Sequence, residues 1–217
     1  MLLVRTPLFA THFGETAAMH KTSLLFGVAA AALSFALSTA SFADDAEIKA
    51  KAEDYTKTQV AKWVADADVV AALAAANASN AAYDQGKIDE LDKQWRAEVG
   101  AAAHPLIDQV MANSASAKAK SWCSGAGGVV TEVIIMDNKG LNVGICDATS
   151  DYWQGDEPKY QNTFPKGAGT VFVDEVEQDS STQKFQVQSS MTVVDPASGQ
   201  PIGVVTIGLD AEGLMMQ

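Results

Sequence analysis

Histidine and cysteine are scarce: the 217 residues hold three histidines and two cysteines. Of the histidines only His104 lies outside the first 43 residues, so there is no Cys/His zinc set and no catalytic triad to build. His104 precedes Pro105 at an expected helix start, where a structural or surface role is the simplest reading. No G-x-S-x-G elbow occurs. The glycine-rich stretch from Ser124 to Gly128 lacks the Lys-Ser/Thr of a phosphate loop. Asp174, Glu175, Glu177 and Asp179 lack the spacing and central glycine of a calcium loop. We therefore expect no catalytic residues, no metal and no cofactor, and do not expect an enzyme.

Basic residues are also few. Fifteen Lys and Arg stand against 27 Asp and Glu, for a formal charge of −12, which argues against nucleic acid as a partner. Arginine is confined to Arg5 and Arg96. Hydrophobic residues make up 47% and charged residues 19%, as in one globular domain with enough apolar material for a core.

Long apolar runs are absent except near the start. Met19-His20-Lys21, an apolar segment from Leu24 to Leu37, and Ser41-Phe42-Ala43 before Asp44-Asp45 follow the order of a secretory signal peptide. We expect residues 1–43 to be a leader, translation to begin at Met19, and the mature chain to start at Asp44. Removing the leader makes the chain about one charge more acidic. The alternative is an uncleaved anchor in the inner membrane, since residues 24–43 nearly suffice to span a bilayer.

From Asp45 to Asn77 there is no Gly or Pro, and Tyr55, Val60, Trp63, Val64, Ala67, Val70, Ala71 and Ala74 recur at three- and four-residue steps. That pattern predicts one long amphipathic helix with Trp63 in its core stripe. A second helix follows Gly86, with Ile88, Leu91 and Trp95 on one face. A third begins at Pro105 with Leu106, Ile107, Val110 and Met111 as its apolar positions.

The second half reads as sheet. Val133 to Met136 is an apolar run, Asp137-Asn138-Lys139-Gly140 supplies turn residues, and Leu141, Val143 and Ile145 alternate with smaller or more polar neighbours. Thr170 to Val173 predicts a short strand. Phe185, Val187, Ser189, Met191 and Val193 then alternate with Gln186, Gln188, Ser190 and Thr192. Asp195 to Gly199 turns the chain into a last strand from Ile202 to Leu209, in which Gly203 and Gly208 signal a bulge or close backbone approach. Between these strands, residues 149–157 (TSDYWQGDE) place two large aromatics and three acids in a loop. Rings held on loops commonly meet ligands.

The segment MDNKGLNVG with TSDYWQGDE, followed by VEQDSSTQKFQVQSSMTVVDPASGQPIGVVTIGLD, resembles an extracytoplasmic Cache domain, the PAS-like sensor module of bacterial receptors. The resemblance covers about residues 121–210. It implies an α+β fold in which a long N-terminal helix packs along one face of an antiparallel sheet of about five strands. The other sheet face would form a ligand pocket capped by the loop after the first hairpin. Residues 44–217 would then form a single Cache domain, and Asp151, Tyr152, Trp153, Asp156, Phe172, Gln186, Gln188 and Ser190 its ligand site. The alternative for TSDYWQGDE is a structural role, with Trp153 anchoring the loop and the acids capping backbone amides.

The implied function is a periplasmic or secreted small-molecule sensor. Family members usually pass their signal to an attached output module, and this sequence ends seven residues after Asp210. Action through a partner membrane receptor is therefore expected. A protein-interaction module without a small ligand is the alternative. With no arginine in the sheet half, Lys159 and Lys166 are the cations near the aromatic loop, so an uncharged or cationic ligand fits at least as well as an amino-acid-like one. The cysteines, both in the exported part, are expected to form a Cys123–Cys146 disulfide, free thiols being the alternative.

Overall fold

A computed structural model of the chain describes residues 44–178 and 184–217. The expected leader and Asp179 lie outside the described residues.

The helices come first. Helix α1 (44–64) contains one π-helical segment, Thr56–Val60. The long helix expected from the sequence is interrupted at residues 65–66, because the Asp66 carboxylate accepts the Asp68 amide and starts a new helix, α2 (Ala67–Ser79). Asp84 caps α3 (Gln85–Glu98) in the same way. α4 (Pro105–Met111) has proline at its start, and Asn113 caps α5 (Ser114–Gly125).

The strands are β1 (Val130–Asp137), β2 (Asn142–Ile145), β3 (Val171–Gln178), β4 (Phe185–Val194) and β5 (Pro201–Asp210). A short helix α6 (Pro158–Gln161) precedes β3, and α7 (Ala211–Met215) follows β5. All pairings are antiparallel, in the order β2-β1-β5-β4-β3. The fold is α+β, helices on a five-stranded antiparallel sheet. β3 extends beyond the strand expected at 170–173, through a register shift between Val173 and Val176.

Strand alternation divides the core in two. Val133, Ile135, Val187, Val193, Val205 and Ile207 face α1, α2, α5 and α7. Ile134, Met136 and Val204 face the opposite way, toward Ile88 and Trp95 of α3, Ile107 and Val110 of α4, and Tyr160 of α6. No helix of the described residues is long and apolar enough to cross a membrane.

The β1–β2 turn is fixed by the buried Asp137. Its Oδ1 accepts the amides of Lys139 and Leu141, and its Oδ2 accepts Asn80 Nδ2 at 2.7 Å. Gly140 has φ +82°, and a Cβ there would lie 2.5 Å from Gly155 Cα, so both the turn and the approach of the following loop demand glycine.

The disulfide joins Cys123 to Cys146, with Cα atoms 6.5 Å apart. Cys123 belongs to the last turn of α5, which packs on β1 and β2, and the Cys146 amide donates to Val133. A turn with Gly127 and Gly128 at positive φ lets α5 lie against the hairpin it precedes. That turn brings together two cysteines which simple extension of β1 would have kept apart.

Candidate functional site

TSDYWQGDE is tied down along its length. Asp92 of α3 is buried, and its Oδ1 accepts the amides of Tyr152 (2.9 Å) and Trp153 (3.0 Å). Its Oδ2 takes Arg96 Nε at 2.8 Å, and the same Nε lies 2.9 Å from Asp151 Oδ1. The two carboxylates hold the Arg96 guanidinium above its usual range, with Asp92 the stronger influence.

Trp153 Nε1 donates to the Lys139 carbonyl, and the loop pairs with the start of β2: Asn142 N donates to Tyr152 O, and Gln154 N to Gly140 O. Tyr152 stacks on the fully buried Trp95 with centroids 5.3 Å apart, while Trp95 Nε1 donates to Thr149 O. Burial, with smaller contributions from Asp137 and Tyr83, pushes the Tyr152 hydroxyl pKa up.

Tyr152 and Trp153 thus lie on the sheet face opposite α1 and fill its upper part. Asp151 serves this clasp through its side chain and its carbonyl, which accepts from Asn142, Thr149 and Gln154. Asp156 is exposed. Phe172 is half-buried opposite Ser190 in the β3–β4 ladder, and the buried Ser190 hydroxyl is paired with Thr206 Oγ1 at 2.8 Å. Of the residues picked out from sequence, Gln186 and Gln188 border a larger open space.

That space is a cleft of about 640 Å³ at the lower end of the same face. Its floor carries Glu132 of β1 with Gln186 and Gln188 of β4, one wall is Glu157-Pro158-Lys159, and the rim is Asp174, Glu175, Glu177 and Gln178 of β3. The sheet register explains the floor. Glu132 and Gln188 both pair with Gly208 of the intervening strand β5. A Cβ on Gly208 would stand 2.9 Å from Thr131 Oγ1 and 3.0 Å from Glu132 Cβ. With no side chain there, Glu132 reaches across β5, and Gln188 Nε2 donates to its Oε2 at 2.9 Å.

Removal from water raises the Glu132 carboxyl above the ordinary range, against the opposing pull of Lys159 and the Gln188 hydrogen bond. Lys159 is nearly buried, and its ammonium is tied to Glu157 Oε2 at 2.8 Å. Glu175 is paired with Lys49. Among the described residues no cation lies within ion-pair distance of Glu132, Asp174 or Glu177, and no group of three or more His, Cys, Asp or Glu is placed to hold a metal.

Glu132 and Glu157 were missed by sequence reasoning. The available signal was alternation: Glu132 shares a face with Ile134 and Met136, which are buried, so it could not be an ordinary solvent-facing acid.

No family model matches the sequence, and none of the curated proteins searched matches it. Among solved structures, the chain is similar to the ligand-binding domain of the Campylobacter jejuni chemoreceptor Tlp3 in complex with 4-methylisoleucine, at 14% identity and TM-score 0.37, over 74% of this chain and 64% of that one. It is similar to the V. cholerae histidine kinase DctB sensor domain at 10% identity and TM-score 0.38, over 85% and 60%. For the E. coli DcuS sensor domain the values are 16% and 0.32, over 59% and 94%. The chain therefore spans less than two thirds of the first two structures. These structural neighbours are bacterial chemoreceptor and sensor-kinase domains at low similarity.

Proposed function

We propose that the chain is an extracytoplasmic Cache-like sensor domain that binds a small molecule in the Glu132–Gln188 cleft. The observation that carries this reading is the cleft itself: an open volume in the range of small-ligand sites, on the sheet face opposite the long N-terminal helix, with a few convergent polar groups on rigid strands. Gln186 and Gln188 are contact residues in this reading. Tyr152, Trp153 and Asp151 act indirectly, by holding the loop from which Glu157 and Lys159 reach the cleft, and Phe172 and Ser190 lie in the strands beneath. The domain is exported by residues 1–43, is not an enzyme, and acts through a partner receptor.

A thermal-shift screen over amines, amino acids, purines and small carboxylates tests the proposal. A ligand at a hundred times its dissociation constant adds about 2.7 kcal/mol of stability. The gain should vanish in Gln188→Ala, and a shift that survives unchanged in that variant would place the site elsewhere.

One observation favours the protein-interaction reading as a second role. Phe185 and Met216 are 54% and 75% exposed, and Phe185 with Met215, Ile48 and Val176 borders a second groove of about 430 Å³ beside α7. A receptor that docks there should lose affinity for Phe185→Asp while ligand binding in the cleft is retained.

A further inference from the structure

We infer that the Glu132–Gln188 cleft takes an aliphatic amine cation, its ammonium seated against the Glu132 carboxylate between β1 and the rim of β3. This rests on the cleft being the ligand site and names the class of ligand.

The donor and acceptor inventory of the lining decides the class. Hydrogen-bond acceptors with charge to spare come from two sides: Glu132 on β1, and Asp174 and Glu177 on β3. Among the described residues of the lining the one ammonium, on Lys159, is already tied to Glu157, and Glu175 is matched by Lys49 outside the cleft. An anionic ligand would meet several carboxylates with one committed cation in reach, and a zwitterion's carboxylate would meet neutral amides rather than an uncommitted cation.

The neutral donors do not change this balance. Gln188 Nε2 gives one N–H to Glu132, the Thr131 hydroxyl donates to Gln186 Oε1 at 3.3 Å, and the other amide N–H groups of Gln186 and Gln188 carry no charge. An ammonium offers three donors and no acceptor, the complement of the Glu132, Asp174 and Glu177 carboxylates. The depression left by Gly208 brings the Glu132 carboxylate out of bulk water, where attraction to a cation is less screened than on the surface. An aliphatic stem suits the Pro158 ring and the methylene portions of Gln186 and Lys159 along the walls.

The test is isothermal titration calorimetry of the full chain at low ionic strength with a four-carbon series: 1,4-diaminobutane, butane-1,4-diol and succinate. The diamine is expected to bind, with affinity reduced at least tenfold in Glu132→Gln and reduced in Gln188→Ala. Asp54→Asn, which removes an exposed acid on α1 away from the cleft, should leave the affinity within about twofold of wild type. If Asp54→Asn weakens binding as much as Glu132→Gln does, the attraction is diffuse and the inference fails. Binding of succinate or the diol but not the diamine, lost in Gln188→Ala, would keep the cleft as a site and overturn the amine. If none of the three binds, and the broader screen shows no Gln188-dependent shift, the reading of the cleft as a ligand site falls with it.

Discussion

Removing the Asp92 carboxylate should strongly destabilise the loop that covers the second sheet face. In wild type its Oδ1 accepts two backbone amides, from Tyr152 and Trp153, inside a cluster where Tyr152 stacks on Trp95. Hydrogen bonds to a charged acceptor contribute about 1.5–3 kcal/mol each, and an abandoned buried amide costs its full desolvation. Asp92→Ala leaves both amides without a partner, for a loss of about 3–5 kcal/mol, or on the order of 10 °C in melting temperature for a domain of this size. Asp92→Asn keeps an acceptor oxygen and should lose about 1–2 kcal/mol. Arg96→Ala removes only the exposed partner and should leave the unfolding midpoint close to wild type. Urea unfolding followed by tryptophan fluorescence measures all three, with near-ultraviolet circular dichroism reporting the Trp95–Tyr152 stack. A loss below about 1 kcal/mol for Asp92→Ala at an unchanged m-value would refute the idea that this carboxylate clasps the loop.

Reducing the Cys123–Cys146 bond, which spans 23 positions, should lower stability by about 3 kcal/mol on the chain-entropy estimate, visible as an earlier urea midpoint in dithiothreitol. Gly208→Val should push Glu132 off its path to Gln188 and cost about 1–3 kcal/mol by overpacking, with diamine binding lost even where the variant stays folded; unchanged binding would mean the depression is not the site. The pH dependence has two opposed parts. Asp66, held low by Lys118, and Asp210, held low by the Gly213 amide and Lys184, contribute stability that is present above their unfolded pKa values and is lost as pH falls through the depressed ones. Glu132 is raised, so its charged form costs stability above its folded pKa, and that cost disappears as pH falls toward the unfolded value. Relative to wild type, Glu132→Gln should therefore look more favourable at pH 7 than at pH 4 in urea titrations, and the opposite trend would contradict the burial of its charge.

The elements were legible where one local rule dominates. Proline before Leu106, the Asp137–Gly140 turn and the β4 alternation each appear where the sequence pattern places them. The break between α1 and α2 was not, because Asp66 is only an acid within an apolar periodicity until its carboxylate is seen on the Asp68 amide. Likewise, TSDYWQGDE has a loop's composition, yet what controls it sits on α3. Asp92 supplies the acceptor and Trp95 the ring, each more than 50 residues upstream, and no local pattern pairs Asp92 with residues 152 and 153.

The cleft was only partly visible in a readable sheet. Gln186 and Gln188 were accessible from sequence because β4 alternates, although Ser190 and Thr192 on the same face are buried and only its first half borders the cleft. Glu132 required one more quantity, the register of β1 and β4 on β5. Glu132 and Gln188 become neighbours only because both align with residue 208, and they touch only because that residue is glycine. A shift of one residue in either pairing would turn the corresponding side chain to the opposite face, into the cluster around Val133 and Ile207. Charge composition alone describes an acidic protein; register and a missing Cβ set the Glu132 carboxylate in the floor of the cleft, where the inferred amine would sit.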